Sequence, residues 1–159
     1  MSLVIKYFGK EEKDSWNTFV SDSIYGDILQ FWQWGEAKAT EGWNPVYMGV
    51  VDEEDQRIIL LSLILIKKAS FLGNYLYVGH GPVFKEKKDL KQALPIWKKG
   101  LIDYAKEKNV FAIEIEPKIC YVPEEDLSTP IISKNLQSFT DPAIFKIFLN
   151  NGFSRTERN

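Results

Sequence analysis

Three short stretches hold the side chains able to do chemistry. The first is QFWQWGEAKA, residues 30–39, where Phe31, Trp32 and Trp34 crowd a single cation, Lys38. On a helix, Phe31, Trp34, Gly35 and Lys38 stand at i, i+3, i+4 and i+7 and share one face. Gly35 would let another backbone or a ligand approach that face closely. Such a face offers an ammonium to a phosphate or carboxylate within a partly apolar cleft. The competing reading is a core stripe with a lysine snorkelling at its edge. The second stretch, YVGHGPVF (77–84), carries His80, the only histidine, between Gly79 and Gly81. Two glycines permit a tight turn whose backbone N–H groups face a ligand. His80 titrates near neutrality in its unperturbed form and so suits a general base or acid. No carboxylate stands near it in sequence to orient it, so a plain turn residue is the other reading. The third stretch, AIEIEP (112–117), puts Glu114 and Glu116 two residues apart, hence on one face of a strand. Ligands often sit at that end of sheets covered by helices, although a solvated strand face has the same pattern.

The elements that must position these groups follow from periodicity and breakers. LVIKYF (3–8) predicts a first strand, and Trp16, Phe19 and Val20 predict a helix over 11–22. Asp27 followed by Gln30 resembles a capping box opening a helix that runs to Gly42. Runs 45–51 and 57–66 flank the polar turn DEEDQ and predict a hairpin. The second run is apolar at nearly every position, as in a central strand covered on both faces. GNYLYVG (73–79) is the next strand. A long helix over 87–108 has the inner stripe Leu90, Leu94, Trp97, Leu101 and Ala105. Pro95 costs about 3 kcal/mol inside a helix, which predicts a kink or a late start. A strand over 110–117, an irregular stretch over 118–140 and a helix over 141–153 complete the chain, with Asp141 as cap and Pro142 in the first turn. The order predicts an α+β (mixed α/β) fold: one domain over 1–159 with a mainly antiparallel sheet and helices on both faces. An N-acyltransferase (GNAT)-like sheet is compatible with it.

Composition removes several classes. The formal net charge is −2, and the arginines are only Arg57, Arg155 and Arg158, which argues against a DNA-binding module. Residues 85–108 hold eight lysines against four acids, a pattern that fits either an RNA backbone or a solvated helix face. Cys120 stands alone and His80 has no histidine companion, so neither a disulfide framework nor a thiolate metal site is expected. The longest apolar run, IILLSLILI (58–66), has nine residues, about half of a membrane span. With no apolar run at the N-terminus suited to a signal peptide, a cytoplasmic location is expected. No Walker, Rossmann or nucleophile-elbow motif occurs, and no glycine lies in a pyrophosphate loop of the acetyl-CoA type, so no cofactor is expected.

Taken in order, LQFWQWGEAKATEGW, LLSLILIKK, YLYVGHGPVF, AIEIEP and FLNNGFSRTERN resemble the Fem-type (FemABX) aminoacyltransferases of peptidoglycan cross-bridge synthesis. The resemblance covers about residues 16–159, and its most specific parts are the Trp-Gly-Glu-x-Lys block and the Gly-Pro-Val turn. It implies aminoacyl-tRNA-dependent transfer of an amino acid to the peptide stem of a precursor, either UDP-MurNAc-pentapeptide or a lipid-linked form. Family members resemble two N-acyltransferase-like domains in tandem, and this chain resembles the first, the acceptor-binding half. By the resemblance, Lys38 and Trp34 lie where the acceptor is held, Glu116 is the acidic position facing the acceptor peptide, and His80 lies in the substrate-binding turn. There are two departures. Gly79-His80 stands where the family commonly has Pro-Arg, and Glu116-Pro117 where it often has Asp-Pro. The donor would engage the second domain, and activity of this domain by itself stays open. A single-domain N-acyltransferase using acetyl-CoA and a non-catalytic binding domain are the alternatives.

Overall fold

A computed structural model of the chain describes residues 1–118 and 142–155. The chain divides into two compact units, Met1–Pro117 and Lys118–Asn159. The first unit contains β1 (Leu3–Tyr7), α1 (Lys13–Asp22), α2 (Trp32–Thr40), β2 (Asn44–Asp52), β3 (Ile58–Ser70), β4 (Gly73–Gly79), β5 (Val83–Phe84), α3 (Lys87–Glu107) and β6 (Val110–Glu116). The described part of the second contains α4 (Pro142–Asn150), in which Ile144 and Phe148 are buried. The expected cap at Asp141, Cys120 and nearly all of the expected irregular stretch lie outside the described residues.

The sheet order is β1-β2-β3-β4-β6, with β5 paired to β3. All pairings are antiparallel except β4 with β6. A parallel neighbour requires a crossover, and the segment carrying β5 and α3 supplies it. The fold is therefore α+β with a mainly antiparallel sheet. β3 is the central strand, and Ile59 through Ile66 are all buried, Ser62 included, the outcome predicted by its nearly continuous apolar run.

Helices cover both faces. On one, Trp16 of α1 and Trp32 of α2 pack with Tyr47, Leu61, Leu63 and Leu65 in a single apolar cluster. Trp32 stacks on Tyr47 with ring centroids 3.6 Å apart, and Trp16 meets Tyr47 edge-on at 5.2 Å. On the other face lies α3. A Cβ added at Gly100 would stand 2.7 Å from Ile5, whose register partner is Val50. The predicted stripe Leu90, Leu94, Trp97, Leu101 and Ala105 is buried, with Ala93 added. Pro95 sits within α3 without delaying its start, which remains at Lys87. About two turns precede Pro95, enough for the helix to be under way before the missing N–H matters.

The predicted helix over 27–42 is broken. Asp27 caps a single 3₁₀ turn, Ile28–Gln30, Phe31 is extended, and α2 begins only at Trp32. Asp27 Oδ1 accepts from Leu29 N at 3.1 Å. Gln30, however, does not fold back on the cap. It is fully buried, and its amide reaches into the sheet. This diversion explains the break, because a helix continuous through Phe31 would aim Gln30 elsewhere.

Candidate functional site

α2 brings Trp34 and Lys38 onto the same side, with Lys38 Nζ 5.0 Å from the Trp34 ring. The ammonium is also 2.7 Å from Glu41 Oε2, one turn further on. Phe31 does not join this face as a helical residue, since it precedes α2 in extended conformation. Gly35 serves the protein rather than a ligand: a Cβ there would lie 2.2 Å from Tyr47 Oη. That hydroxyl donates to Trp32 O at 2.8 Å, and burial raises its pKa, followed by the charge of Glu36. Tyr47 is thus a neutral strut. Trp32 is core, whereas Trp34 and Lys38 form the rim.

From that rim a chain of contacts runs towards β6. Lys67 Nζ donates to Glu41 O at 3.1 Å and lies 5.4 Å from the Trp43 ring. Trp43 in turn meets Tyr75, with centroids 6.4 Å apart. Tyr75 Oη donates to Glu114, and Tyr77 Oη donates to Glu116. Tyr77 packs against the cluster beneath α1 and α2, so Glu116 projects from the face that α2 covers. Glu114 and Glu116 therefore share a face, as the alternation predicts, and each is held by a tyrosine two residues from the next on β4. Neither tyrosine was among the expected site residues. The signal lay in the matching i, i+2 spacing of YLY and EIE, which becomes readable only once β4 and β6 are known to be neighbours.

His80 follows directly on β4, at the same end of the strand pair as Glu116. Gly79, just before it, is the register partner of Glu116. The backbone of His80 is left-handed, with φ 52°, and the Gly81–Pro82 peptide is cis. A carboxylate absent from its sequence neighbourhood does reach it in space: Asp27 Oδ1 stands 3.0 Å from His80 Nδ1. Gln30, from the same 3₁₀ turn as Leu29, donates through Nε2 to Gly79 O at 2.6 Å and accepts from Leu63 N at 2.7 Å. Sequence reasoning placed Asp27 and Gln30 only at a helix start. Asp27 does cap the 3₁₀ turn, and its carboxylate also meets His80, while Gln30 secures the end of β4.

The structure thus gathers Glu116 and His80 at the C-terminal ends of β4 and β6, and sets Lys38 and Trp34 on the rim beside the start of β4. The two ends are separated by the length of β4 from Tyr75 to Gly79, about 13 Å at ~3.3 Å per residue. A surface hollow of about 400 Å³ elsewhere, between α1 and the start of α3, has none of these four residues in its lining. Its charges are partly paired among themselves, as with Lys85 and Asp22 at 3.4 Å. Among the described residues, no group of three or more His, Cys, Asp or Glu is placed to hold a metal ion.

Residues 12–144 match the model of the FemAB family. The chain belongs to the FemAB family. It is 33% identical over 104 residues to the lipid II:glycine glycyltransferase of Staphylococcus saprophyticus, a match covering 65% of this chain and 24% of that protein. The crystal structure of FemX aligns with a TM-score of 0.61 at 23% identity, over 87% of this chain and 31% of FemX. A GNAT family acetyltransferase from Staphylococcus aureus aligns at 0.54 and 17% identity, over 78% of this chain and 94% of that one. These likenesses establish a GNAT-type fold. This FemAB-family chain spans about a quarter of the curated relative and under a third of FemX. Among its described residues, no helix is long and apolar enough to cross a membrane.

Proposed function

We propose that this chain supplies the acceptor-binding domain of an enzyme that transfers an amino acid from aminoacyl-tRNA to the peptide stem of a peptidoglycan precursor. The observation that carries the proposal is the placement of a cation and a carboxylate on one face of the sheet. Lys38 comes from the helix covering that face, and Glu116 projects from it at the far end of β4. A precursor with an anionic head and a side-chain amine on its peptide stem matches that polarity. Lys38 would hold a phosphate or carboxylate as a compact, rotatable cation, with Trp34 as its apolar wall. Glu116 would pair with the side-chain ammonium of the peptide and position it.

In the reaction the amine nitrogen attacks the carbonyl carbon of the aminoacyl ester. A C–N bond forms and the ester C–O bond breaks. The ribose oxygen departs as a hydroxyl with a proton released from the amine. The ester is already activated, so orientation and stabilisation of the oxyanion carry the catalysis. This domain contributes the acceptor side, and the donor engages the second domain.

Calorimetric titration of the 159-residue chain with UDP-MurNAc-pentapeptide, with acetyl-CoA in parallel, tests the reading. Saturable binding of the precursor is expected, weakened about tenfold by Lys38→Ala, equivalent to the loss of ~1.4 kcal/mol. Binding of acetyl-CoA in its place would assign the chain to the small-molecule acyltransferases. Binding of neither would leave it a domain without its own acceptor site.

A further inference from the structure

We infer that Asp27 is a positioning residue which fixes His80 as an acceptor of N–H hydrogen bonds, so that His80 and Glu116 together receive the amine of the acceptor. This rests on the acceptor-binding reading above. Three observations carry it. His80 Nδ1 is buried and has no aligned hydrogen-bond partner, and the carboxylate oxygen of Asp27 stands 3.0 Å away. A neutral imidazole has one protonated and one bare ring nitrogen, and a bare Nδ1 within 3.0 Å of a carboxylate oxygen would bring a lone pair close to negative charge, whereas a protonated Nδ1 brings a hydrogen there. The proton of the neutral ring therefore belongs on Nδ1, which leaves Nε2 bare.

The second observation is exposure. The His80 side chain is 44% exposed although its Nδ1 is buried, so the open edge is the one that carries Nε2. A bare Nε2 at that edge accepts and does not donate. It suits an amine or ammonium and is unsuited to a phosphate or carboxylate. The turn thus presents chemistry opposite to that of an arginine at this position. The third is location: Gly79, adjacent to His80, is in register with Glu116. Two acceptors emerge from neighbouring strand ends, where an ammonium with three N–H bonds can use both.

The arrangement is rigidly supported. Asp27 Oδ1 also accepts from Leu29 N, and Gln30 of the same turn holds Gly79 O. Asp27 is itself only 16% exposed at its side chain. His80 adopts its left-handed backbone against the ordinary preference of a residue with a Cβ, a conformation kept when the surroundings impose it.

His80 is the only histidine, so its ring nitrogens are identified directly in ¹⁵N-labelled protein. The ¹⁵N shifts of the neutral ring are expected to show the proton on Nδ1. Asp27→Ser retains a good cap for the 28–30 turn but is too short and uncharged to hold the ring. It is expected to move the proton towards Nε2 with unchanged far-ultraviolet circular dichroism. A wild-type ring protonated on Nε2, or shifts that Asp27→Ser leaves unchanged, would overturn the assignment. In the second arm, UDP-MurNAc-pentapeptide is compared with the same compound acetylated on its side-chain amine. Wild-type protein is expected to prefer the free amine about tenfold, and His80→Ala to narrow that preference at least threefold. An unchanged preference in His80→Ala would overturn the role of His80 while leaving the acceptor-binding reading intact. Failure of both compounds to bind the wild type would overturn that reading, whatever the ring shifts show.

Discussion

The side chain of Gln30 stands in for a neighbouring strand beside Leu63. Its Oε1 accepts from Leu63 N at 2.7 Å, and its Nε2 donates to Gly79 O at 2.6 Å. β3 pairs with β4 on one side of this point and with β5 beyond it, so the carboxamide fills a gap in the ladder with the same N–H and C=O groups. Gly81 allows this close approach, since a Cβ there would lie 2.8 Å from the amide. Removing the amide strands buried backbone groups, each at about 1–3 kcal/mol. Gln30→Ala is therefore expected to lower unfolding free energy by about 2–4 kcal/mol in urea titration. Gln30→Glu should also destabilise, because a carboxylate cannot donate to Gly79 O. Wild-type stability in both variants would show that the gap tolerates water.

Gly35 and Tyr47 form a second interlocked pair. An added methyl at Gly35 meets Tyr47 Oη at 2.2 Å and Pro45 Cβ at 3.0 Å. Overpacking of this kind costs about 1–3 kcal/mol. Gly35→Ala alone should fall in that range, and Tyr47→Phe should recover part of the loss by deleting the hydroxyl. A double-mutant cycle measures this coupling, expected to exceed about 0.5 kcal/mol. Strict additivity would mean that α2 shifts away as a body.

On the proposed acceptor-binding reading, Lys38 separates binding from stability. Its contact with Glu41 bridges partly exposed side chains on one helix, and such pairs contribute about 0–1 kcal/mol. Lys38→Ala should barely change the melting temperature while weakening the precursor. A large fall in melting temperature would identify the lysine as structural.

Acid should act through Glu12. Lys6 Nζ lies 2.8 Å from Glu12 Oε1, and Gly9 N donates to Oε2 at 3.2 Å. The hydrogen bond from Lys6 does most to hold the Glu12 pKa below its ordinary 4.5 in the folded chain; burial opposes it, and the hydrogen bond from Gly9 and the charge of Lys6 add smaller lowering effects. A depressed folded value contributes stability above the unfolded pKa, and that contribution is lost as pH falls through the folded one. Glu12→Gln should flatten this part of the stability profile below about pH 4.5, by no more than ~1 kcal/mol. Parallel profiles for the two proteins would exclude the pair as a contributor.

What the sequence determined by itself is whatever local periodicity encodes. The stripe on α3, the doubly covered β3 and the shared face of Glu114 and Glu116 were all legible, because the direction of each side chain follows the period of its element. The placement of Trp34 beside Lys38 was legible for the same reason. What only the tertiary structure decided are the pairings across long stretches of chain. The break at Phe31 was hidden because Gln30 is polar, and only a gap in a distant strand pair makes its burial favourable. Asp27 looked like an ordinary cap, yet its carboxylate also meets His80, which comes from the far end of β4. Tyr77 looked like one more strand aromatic until β4 and β6 were joined and its hydroxyl met Glu116. Periodicity records burial, whereas a hydrogen bond between distant residues depends on strand order and register, which no local pattern in this chain specifies.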